Sequence, residues 1–249
     1  MKDLLIRILG WRAMMLHGDP CVVDRCVFAR RYLRSGHFRT LDAGAGNGGF
    51  ALMAASLGNE VLGLSFSSEE MRAAQVRAAI AGIRDASFRI GDLRELETFA
   101  DELGTFDQML CLEVIEHLND DALLVQRLAR LLRPGGRLIL STPAADHRPQ
   151  FGEQISATED GGHVRWGYKP ERVAEIVQAA GLTLVEQGTV SGVVSQKLTN
   201  LMRRGQELNQ MLGWALVLPL RPLQLLDRPI TWLLGWPYLC VTVVAESAR

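Results

Sequence analysis

The sequence predicts an α/β fold, with one mostly parallel sheet of seven strands covered by helices on both faces. Three observations predict it. From Thr40 onward, short apolar runs alternate with longer stretches of helical period, the pattern written by parallel strands and their crossover helices. The glycine-rich run Leu41-Asp42-Ala43-Gly44-Ala45-Gly46-Asn47-Gly48-Gly49 joins the first such strand to the first such helix. No linker, low-complexity tract or internal repeat divides the 249 residues, a length that suits one large domain.

Residues 1–36 read as two leading helices, the first amphipathic because Asp3, Arg7 and Arg12 interrupt the apolar pattern of Met1 to Gly18. Those charges also deny the segment the unbroken apolar stretch of a secretory signal. Strands are expected at Arg39 to Ala43, Glu60 to Ser65, Ala86 to Ile90, Phe106 to Leu112, Arg137 to Ser141, Leu182 to Gln187 and Tyr238 to Glu246. Helices are expected at Phe50 to Leu57, Ser68 to Ala81, Asp120 to Leu132 and Pro170 to Ala180; the last opens with proline in its first turn and stops at Gly181. The chain thus divides into two N-terminal helices (1–36), a core (37–190), a helical insertion (191–236) and a final strand (237–249), all in one domain.

Composition excludes several classes. A formal net charge of −1 advertises no affinity for a polynucleotide backbone, so DNA is not expected as a partner and RNA is disfavoured. Cys21, Cys26, Cys111 and Cys240 form no CxxC pair, which argues against a zinc site or a disulfide framework and fits a reducing cytoplasm. The apolar run Met211 to Leu220 is too short to cross a bilayer, and Pro229 to Ala245 is broken by Gly235 and Pro237. A cytoplasmic chain is expected, with contact at a membrane surface left open.

The glycine loop carries the first chemical signal. Glycines 44, 46 and 49 match a dinucleotide fingerprint, in which backbone and helix start approach a negative group. Taken alone, that spacing leaves a nicotinamide or flavin cofactor open. Asp42 tips the balance toward S-adenosylmethionine, because a carboxylate there would receive a cationic amine and would repel a pyrophosphate. Asp92, in Ile90-Gly91-Asp92-Leu93 after the third strand, is placed to hold an adenine amino group.

Two further segments, Glu113-Val114-Ile115-Glu116-His117-Leu118 and Leu132-Arg133-Pro134-Gly135-Gly136-Arg137-Leu138-Ile139-Leu140-Ser141-Thr142-Pro143, complete a resemblance. Together with the glycine loop they resemble the class I methyltransferases with a Rossmann-like fold, in the branch that includes ubiquinone-biosynthesis O-methyltransferases. The resemblance covers most of 39–145. It implies a last strand antiparallel to the rest and a cofactor, S-adenosylmethionine, held by Asp42, Gly44, Ala45, Gly46, Asn47, Ser65, Phe66, Asp92, Leu93 and Glu113. One departure stands out: where most relatives end the second strand in an acid that binds the ribose hydroxyls, this chain has Ser65. A neutral hydroxyl bonds roughly half as strongly as a carboxylate, so modest cofactor affinity is expected.

Glu113, Glu116 and His117 stand at i, i+3 and i+4, on one side if that segment is helical. The same pattern, with a later histidine, resembles the metal site of small-RNA 2′-O-methyltransferases; here the later histidine would be His163. The resemblance implies that Glu113, Glu116, His117 and His163 hold Mg²⁺ or another divalent ion. Without a metal, His117 or His163 is the general-base candidate, since imidazole titrates near neutral pH. Trp166 and Tyr168 either wall an acceptor pocket or pack a loop on the sheet. Cys111, in a central strand, is read as a small core residue.

The expected activity is methyl transfer from S-adenosylmethionine to a hydroxyl of a small or lipid-linked acceptor, by a monomer or homodimer. An RNA 2′-O-methyltransferase and a non-catalytic cofactor-binding protein are the alternatives. The insertion, rich in Leu, Met and Trp with Lys197, Arg203, Arg204, Arg221 and Arg228 interspersed, would cap the acceptor pocket, lie on a bilayer, complete the core or form a dimer contact.

Overall fold

A computed structural model describes residues 2–13 and 18–248; the remainder of the predicted first helix, at residues 1 and 14–17, lies outside them. Helix α1 covers Lys2–Leu9 and α2 covers Pro20–Tyr32, whose start is capped by the Asp19 carboxylate accepting from the Val22 N–H at 2.9 Å. The sheet contains β1 (Arg39–Ala43), β2 (Glu60–Ser65), β3 (Ala86–Ile90), β4 (Phe106–Leu112), β5 (Leu132–Pro143), β6 (Leu182–Val190) and β7 (Cys240–Ser247). Helices α3 (Gly49–Ala55), α4 (Ser68–Ala81), α5 (Leu96–Leu103), α6 (Asp121–Arg130) and α7 (Pro170–Ala179) connect them.

Strand order is β3-β2-β1-β4-β5-β7-β6. Only β7 runs against its neighbours, wedged between β5 and β6. The seven strands, mostly parallel, with helices on both faces agree with the expected architecture. Central strands are buried along their length: Leu41, Ala43, Met109, Leu110, Cys111, Leu138, Ile139 and Leu140 are fully enclosed, as near-continuous apolar runs require when both faces are covered.

Several boundaries shift for physical reasons. β5 begins at Leu132 rather than Arg137, because Leu132 pairs with Phe106 before the ladder slips to Gln108↔Arg137. The Pro134-Gly135-Gly136 turn signal is absorbed in that irregularity, with Gly135 at φ 71°. β6 continues to Val190, and β7 starts at Cys240 rather than Tyr238. Helix α5 was not expected; its inward positions Leu96 and Leu103 pack a single apolar stripe.

The insertion folds as α8 (Val193–Leu208), α9 (Gln210–Val217), a 3₁₀ segment (Leu218–Leu226) and α10 (Asp227–Leu234). Asp227 anchors it: its carboxylate accepts from the N–H groups of Gly192 at 2.6 Å, Val194 at 2.7 Å and Ser195 at 3.2 Å, satisfying the start of α8. Among the described residues, no helix is long and apolar enough to cross a membrane.

Candidate active site

The order of strands reverses between β1 and β4, and ligands of open α/β sheets bind at the carboxyl ends of strands flanking such a point. A cavity of about 420 Å³ lies there. Gly44 and Gly46 after β1, Ser65 and Phe66 after β2, Asp92 and Leu93 after β3, and Glu113 and His117 after β4 all line it. Seven of the ten residues expected to hold a cofactor therefore share one wall. Asp42, Ala45 and Asn47 are not on that wall.

Gly44 has φ +83°, and a Cβ there would stand 2.5 Å from a methyl of Val114. No side chain fits between the two loops. The N–H groups of Gly44 and Ala45 both donate to the Leu64 carbonyl, at 3.0 and 2.7 Å, so they fix the loop to β2 instead of facing a ligand. Asp42 is 2 % exposed; burial raises its carboxyl to about 7, opposed by the Ala51 N–H, and its Oδ2 has no hydrogen-bond partner. Ala45 packs with Met71 and Ala74, and the exposed Asn47 gives its carbonyl to Arg77 at 2.7 Å.

At the end of β2 the structure supplies what the sequence lacked. Ser67 caps α4 by accepting from the Glu70 N–H at 3.2 Å, the first half of a capping box. The second half is rerouted: the Ser67 N–H donates to Ser65 Oγ at 3.2 Å, and the Ser65 hydroxyl donates to Glu70 Oε2 at 2.8 Å. Glu70 lines the cavity, and its other oxygen lies 3.8 Å from the Cβ position of Gly46. A carboxylate thus stands beside Ser65, delivered from the first turn of α4. Glu70 is not among the expected cofactor residues, although Ser67-Ser68-Glu69-Glu70 has the box spacing.

Asp92 is held by the Arg94 guanidinium, whose hydrogen bonds keep its carboxyl below the usual range. The Arg94 Nη2 to Asp92 Oδ2 distance is 2.5 Å, and Arg94 also reaches Glu159 at 3.7 Å. Phe66 is 59 % exposed at the cavity mouth, its ring 3.3 Å from the Cβ position of Gly161.

Glu113 carries φ +56°, an uncommon backbone for a residue with a side chain and a feature of functional turns. Its carboxylate accepts from Ser141 at 2.8 Å and pairs with Arg25 of α2 at 3.4 Å. Arg25 was not foreseen.

Of the four candidate metal ligands, three converge. Glu116, His117 and His163 offer ligand atoms within 4.8 Å of one another, and no such group is completed by Glu113. The 3₁₀ turn covers only Ile115–His117, and Glu113 stands before it with a left-handed backbone at φ +56°, so the helical spacing that would align 113 with 116 and 117 is not present. Glu116 Oε1, His117 Nδ1 and His163 Nδ1 are buried atoms without partners. Burial, then the neighbouring Glu113 carboxylate, pushes Glu116 well above its ordinary value; burial and then His117 lower His163. The imidazoles of His117 and His163 meet edge to face with centroids 4.7 Å apart. His117 Nε2 lies 3.9 Å from Glu116 Oε1, and one carboxylate and two imidazoles with ligand atoms within 4.8 Å of one another fit a cation.

The loop carrying His163 is fastened at several points. The Val164 N–H donates to the Glu116 carbonyl at 2.9 Å, and Arg165 pairs with Asp121 and donates to the Leu118 carbonyl at 2.5 Å. Tyr168 is 4 % exposed, and its hydroxyl donates to Asp121 at 2.8 Å, so it packs the loop instead of walling a pocket. Trp166 stacks on His147 at 4.6 Å, and His147 meets Glu153 at 3.0 Å. His147, a third imidazole besides His117 and His163, carries no motif spacing in the sequence. Cys111 is buried, and desolvation raises its thiol, in keeping with a core role.

A family model described as a methyltransferase domain matches residues 41–140. The chain is 30 % identical over 172 residues to the ubiquinone biosynthesis O-methyltransferase of Xanthomonas axonopodis pv. citri (strain 306), across 66 % of this chain and 70 % of the relative. Among solved structures it is similar to the [4+2]-cyclase SpnF, with TM-score 0.62 and 19 % identity over 90 % of this chain and 80 % of the other. It is also similar to phosphoethanolamine N-methyltransferase 2 of Haemonchus contortus in complex with S-adenosyl-L-methionine, with TM-score 0.61 and 18 % identity over 90 % and 52 %. At these identities the two structures establish the shared fold.

Proposed function

Because the chain belongs to the class I S-adenosylmethionine-dependent methyltransferases, we propose that it methylates a hydroxyl of a small or lipid-linked acceptor. The observation that carries the reading is the Glu116, His117 and His163 group at the margin of the cofactor cavity, which His117 itself lines. Such a group suits an oxygen nucleophile, since it either takes the hydroxyl proton or stabilises the alkoxide. The 30 % identical relative named as an O-methyltransferase supports the same atom.

The methyl donor arrives activated, so holding the two partners in line supplies much of the rate. The new bond joins the acceptor oxygen to the methyl carbon as the carbon–sulfur bond breaks, and the electron pair stays on sulfur. With no ion bound, His117 takes the hydroxyl proton. Gly44 and Gly46 admit the cofactor to the loop, Phe66 covers its adenosyl end, and Glu70 with Ser65 receives the ribose hydroxyls in place of an acid at the end of β2. The buried Asp42, whose Oδ2 has no hydrogen-bond partner, would serve as the carboxylate toward which the ammonium end is drawn.

Glu116, His117 and His163 would hold a divalent ion of the Mg²⁺ or Mn²⁺ kind. When bound, it would lower the pKa of the acceptor hydroxyl. Calorimetric titration of the purified chain with Mg²⁺ and Mn²⁺, beside His163→Ala, tests that part: binding by the wild type alone supports the ion. Unchanged turnover after chelation, with loss in His117→Ala, would leave imidazole as the working base. Failure of the chain to bind S-adenosylhomocysteine by calorimetry would overturn the whole reading.

A further inference from the structure

The surface of the insertion is unlike the rest of the molecule. Leu208, Leu225 and Trp232 are each more than 80 % exposed, Leu233 is 75 % exposed and Leu234 is 60 % exposed. Met211, Leu212, Leu216, Leu218, Leu223 and Leu226 are also exposed. On α9, Met211, Leu212 and Leu216 face outward while Gly213 and Val217 face the core, so this apolar face points away from the protein by construction. On α10, Asp227 and Thr231 are inward, and Trp232, Leu233 and Leu234 are outward. Monomeric soluble proteins rarely expose so many large apolar side chains in one segment.

Charge separates the possible occupants. Between residues 193 and 236 the chain has five basic residues, Lys197, Arg203, Arg204, Arg221 and Arg228, against two acids, Glu207 and Asp227. Asp227 is buried at the start of α8, which leaves Glu207 as the acid on this surface. The full chain is nearly balanced, with 27 basic and 28 acidic residues. Arg203 is paired with Asp19 and Arg221 is half buried against the Gly18 carbonyl, so Lys197, Arg204 and Arg228 are the exposed cations of the segment, and they outnumber its one exposed acid. A second cavity of about 870 Å³ opens among Leu218, Leu225, Pro222 and Val27 and continues the apolar surface inward; Arg31, Arg221 and Arg228 in its lining are balanced by Asp24, Glu186 and Asp227, so the cationic character lies on the outer surface.

We propose that the outer face of residues 208–234 docks the protein on an anionic lipid bilayer, with leucines and Trp232 entering the acyl boundary and the exposed Arg228, with Arg204 of the preceding α8, against the headgroups. Apolar residues on short helices, flanked by cations and with no spanning length, are what binding in the interface plane requires. The inference specifies where the lipid-linked acceptor of the proposed function would be met, but docking itself does not depend on methyl transfer.

The test is flotation of the purified full chain with vesicles of phosphatidylcholine alone and of equal parts phosphatidylcholine and phosphatidylglycerol. The chain is expected to float with the mixed vesicles and about tenfold less with the neutral ones, the difference shrinking at high salt. Leu225→Ser with Leu233→Ser, both at exposed positions, should reduce flotation about tenfold, while melting temperature and binding of S-adenosylhomocysteine stay unchanged. Equal flotation with both vesicle types, no flotation with either, or an unaffected double variant would overturn the proposal. So would a dimer in sedimentation equilibrium that the double variant dissociates, since the face would then be a contact between two copies. Binding of S-adenosylhomocysteine is read independently, so failure of docking and failure of the methyltransferase reading are told apart.

Discussion

Glu70 shows how one side chain restores what another position lost. Its carboxylate is bonded through the Ser65 hydroxyl and borders the cavity. Glu70→Gln should therefore weaken S-adenosylhomocysteine binding by about tenfold in calorimetry, the worth of one charge-assisted bond. Adding Ser65→Asp should recover most of it, and an unchanged affinity in Glu70→Gln would remove the role. Asp42 carries a pH signature. Its carboxyl is raised to about 7, so the folded, unliganded protein holds the proton more tightly than the unfolded chain. Its contribution is neutral below the unfolded value and becomes increasingly unfavourable as pH climbs to about 7, staying constant above. Between pH 4 and pH 8, the unfolding free energy of Asp42→Asn should gain on wild type by on the order of 4 kcal/mol. Parallel curves for the two proteins would refute the assignment. At this scale the sequence disclosed residue types and missed their partners. Glycine spacing pointed to Gly44 and Gly46, yet Glu70 is visible only once β2 and α4 set their angle, and Arg25 meets Glu113 from 88 positions away in the chain.

Elements explain why those partners meet. Helix α2 lies against the carboxyl end of the sheet, where Arg25 pairs with Glu113 and comes within 3.6 Å of Cys240 Sγ, and Arg203 of α8 pairs with Asp19 at its start. Removing Arg25 leaves a mostly buried carboxylate on a strained turn. Arg25→Met should cost about 3 kcal/mol in chemical denaturation, and Glu113→Gln in the same chain should return part of that. If Arg25→Met melts like wild type, the pair is not what holds α2. Elements with one strong period were legible: β1, β2, β3, β4 and α4 occur at the expected residues. The start of β5 was not, because a Pro-Gly-Gly turn signal outweighs strand propensity until Phe106 is seen to pair with Leu132. The ExxEH spacing misled for a related reason, since helical geometry was presumed where a 3₁₀ turn and a positive φ stand.

Across the whole molecule the two ends of the sheet divide the labour. Chemistry gathers at the carboxyl end, while the amino end is closed by a buried polar group. Gln108 Nε2 donates to Asn59 at 2.7 Å, to Thr40 at 3.1 Å and to the Arg34 carbonyl at 3.2 Å, and its Oε1 accepts from the Arg34 N–H at 2.9 Å. Gln108→Ala should lower the melting temperature by about 5 °C or more, by stranding several buried groups, and leave S-adenosylhomocysteine affinity unchanged. A shift in affinity would show that the two ends are coupled. The overall α/β plan was readable because it rests on periodicity and glycine punctuation. How the insertion sits was not, because its leucines look alike in sequence whether they face inward or outward. The register of the last two strands gives that insertion a further property. Val190 and Cys240 are direct partners on adjacent strands, so the chain departs for the insertion and returns at a single rung of the ladder. A segment hung from one rung can grow, shrink or be exchanged without disturbing the strands beneath it. Exchanging 193–236 therefore has one seam to match in the sheet and a second at the start of α2, where Arg203, Thr199 and Gln224 meet Asp19, Cys21 and Pro20.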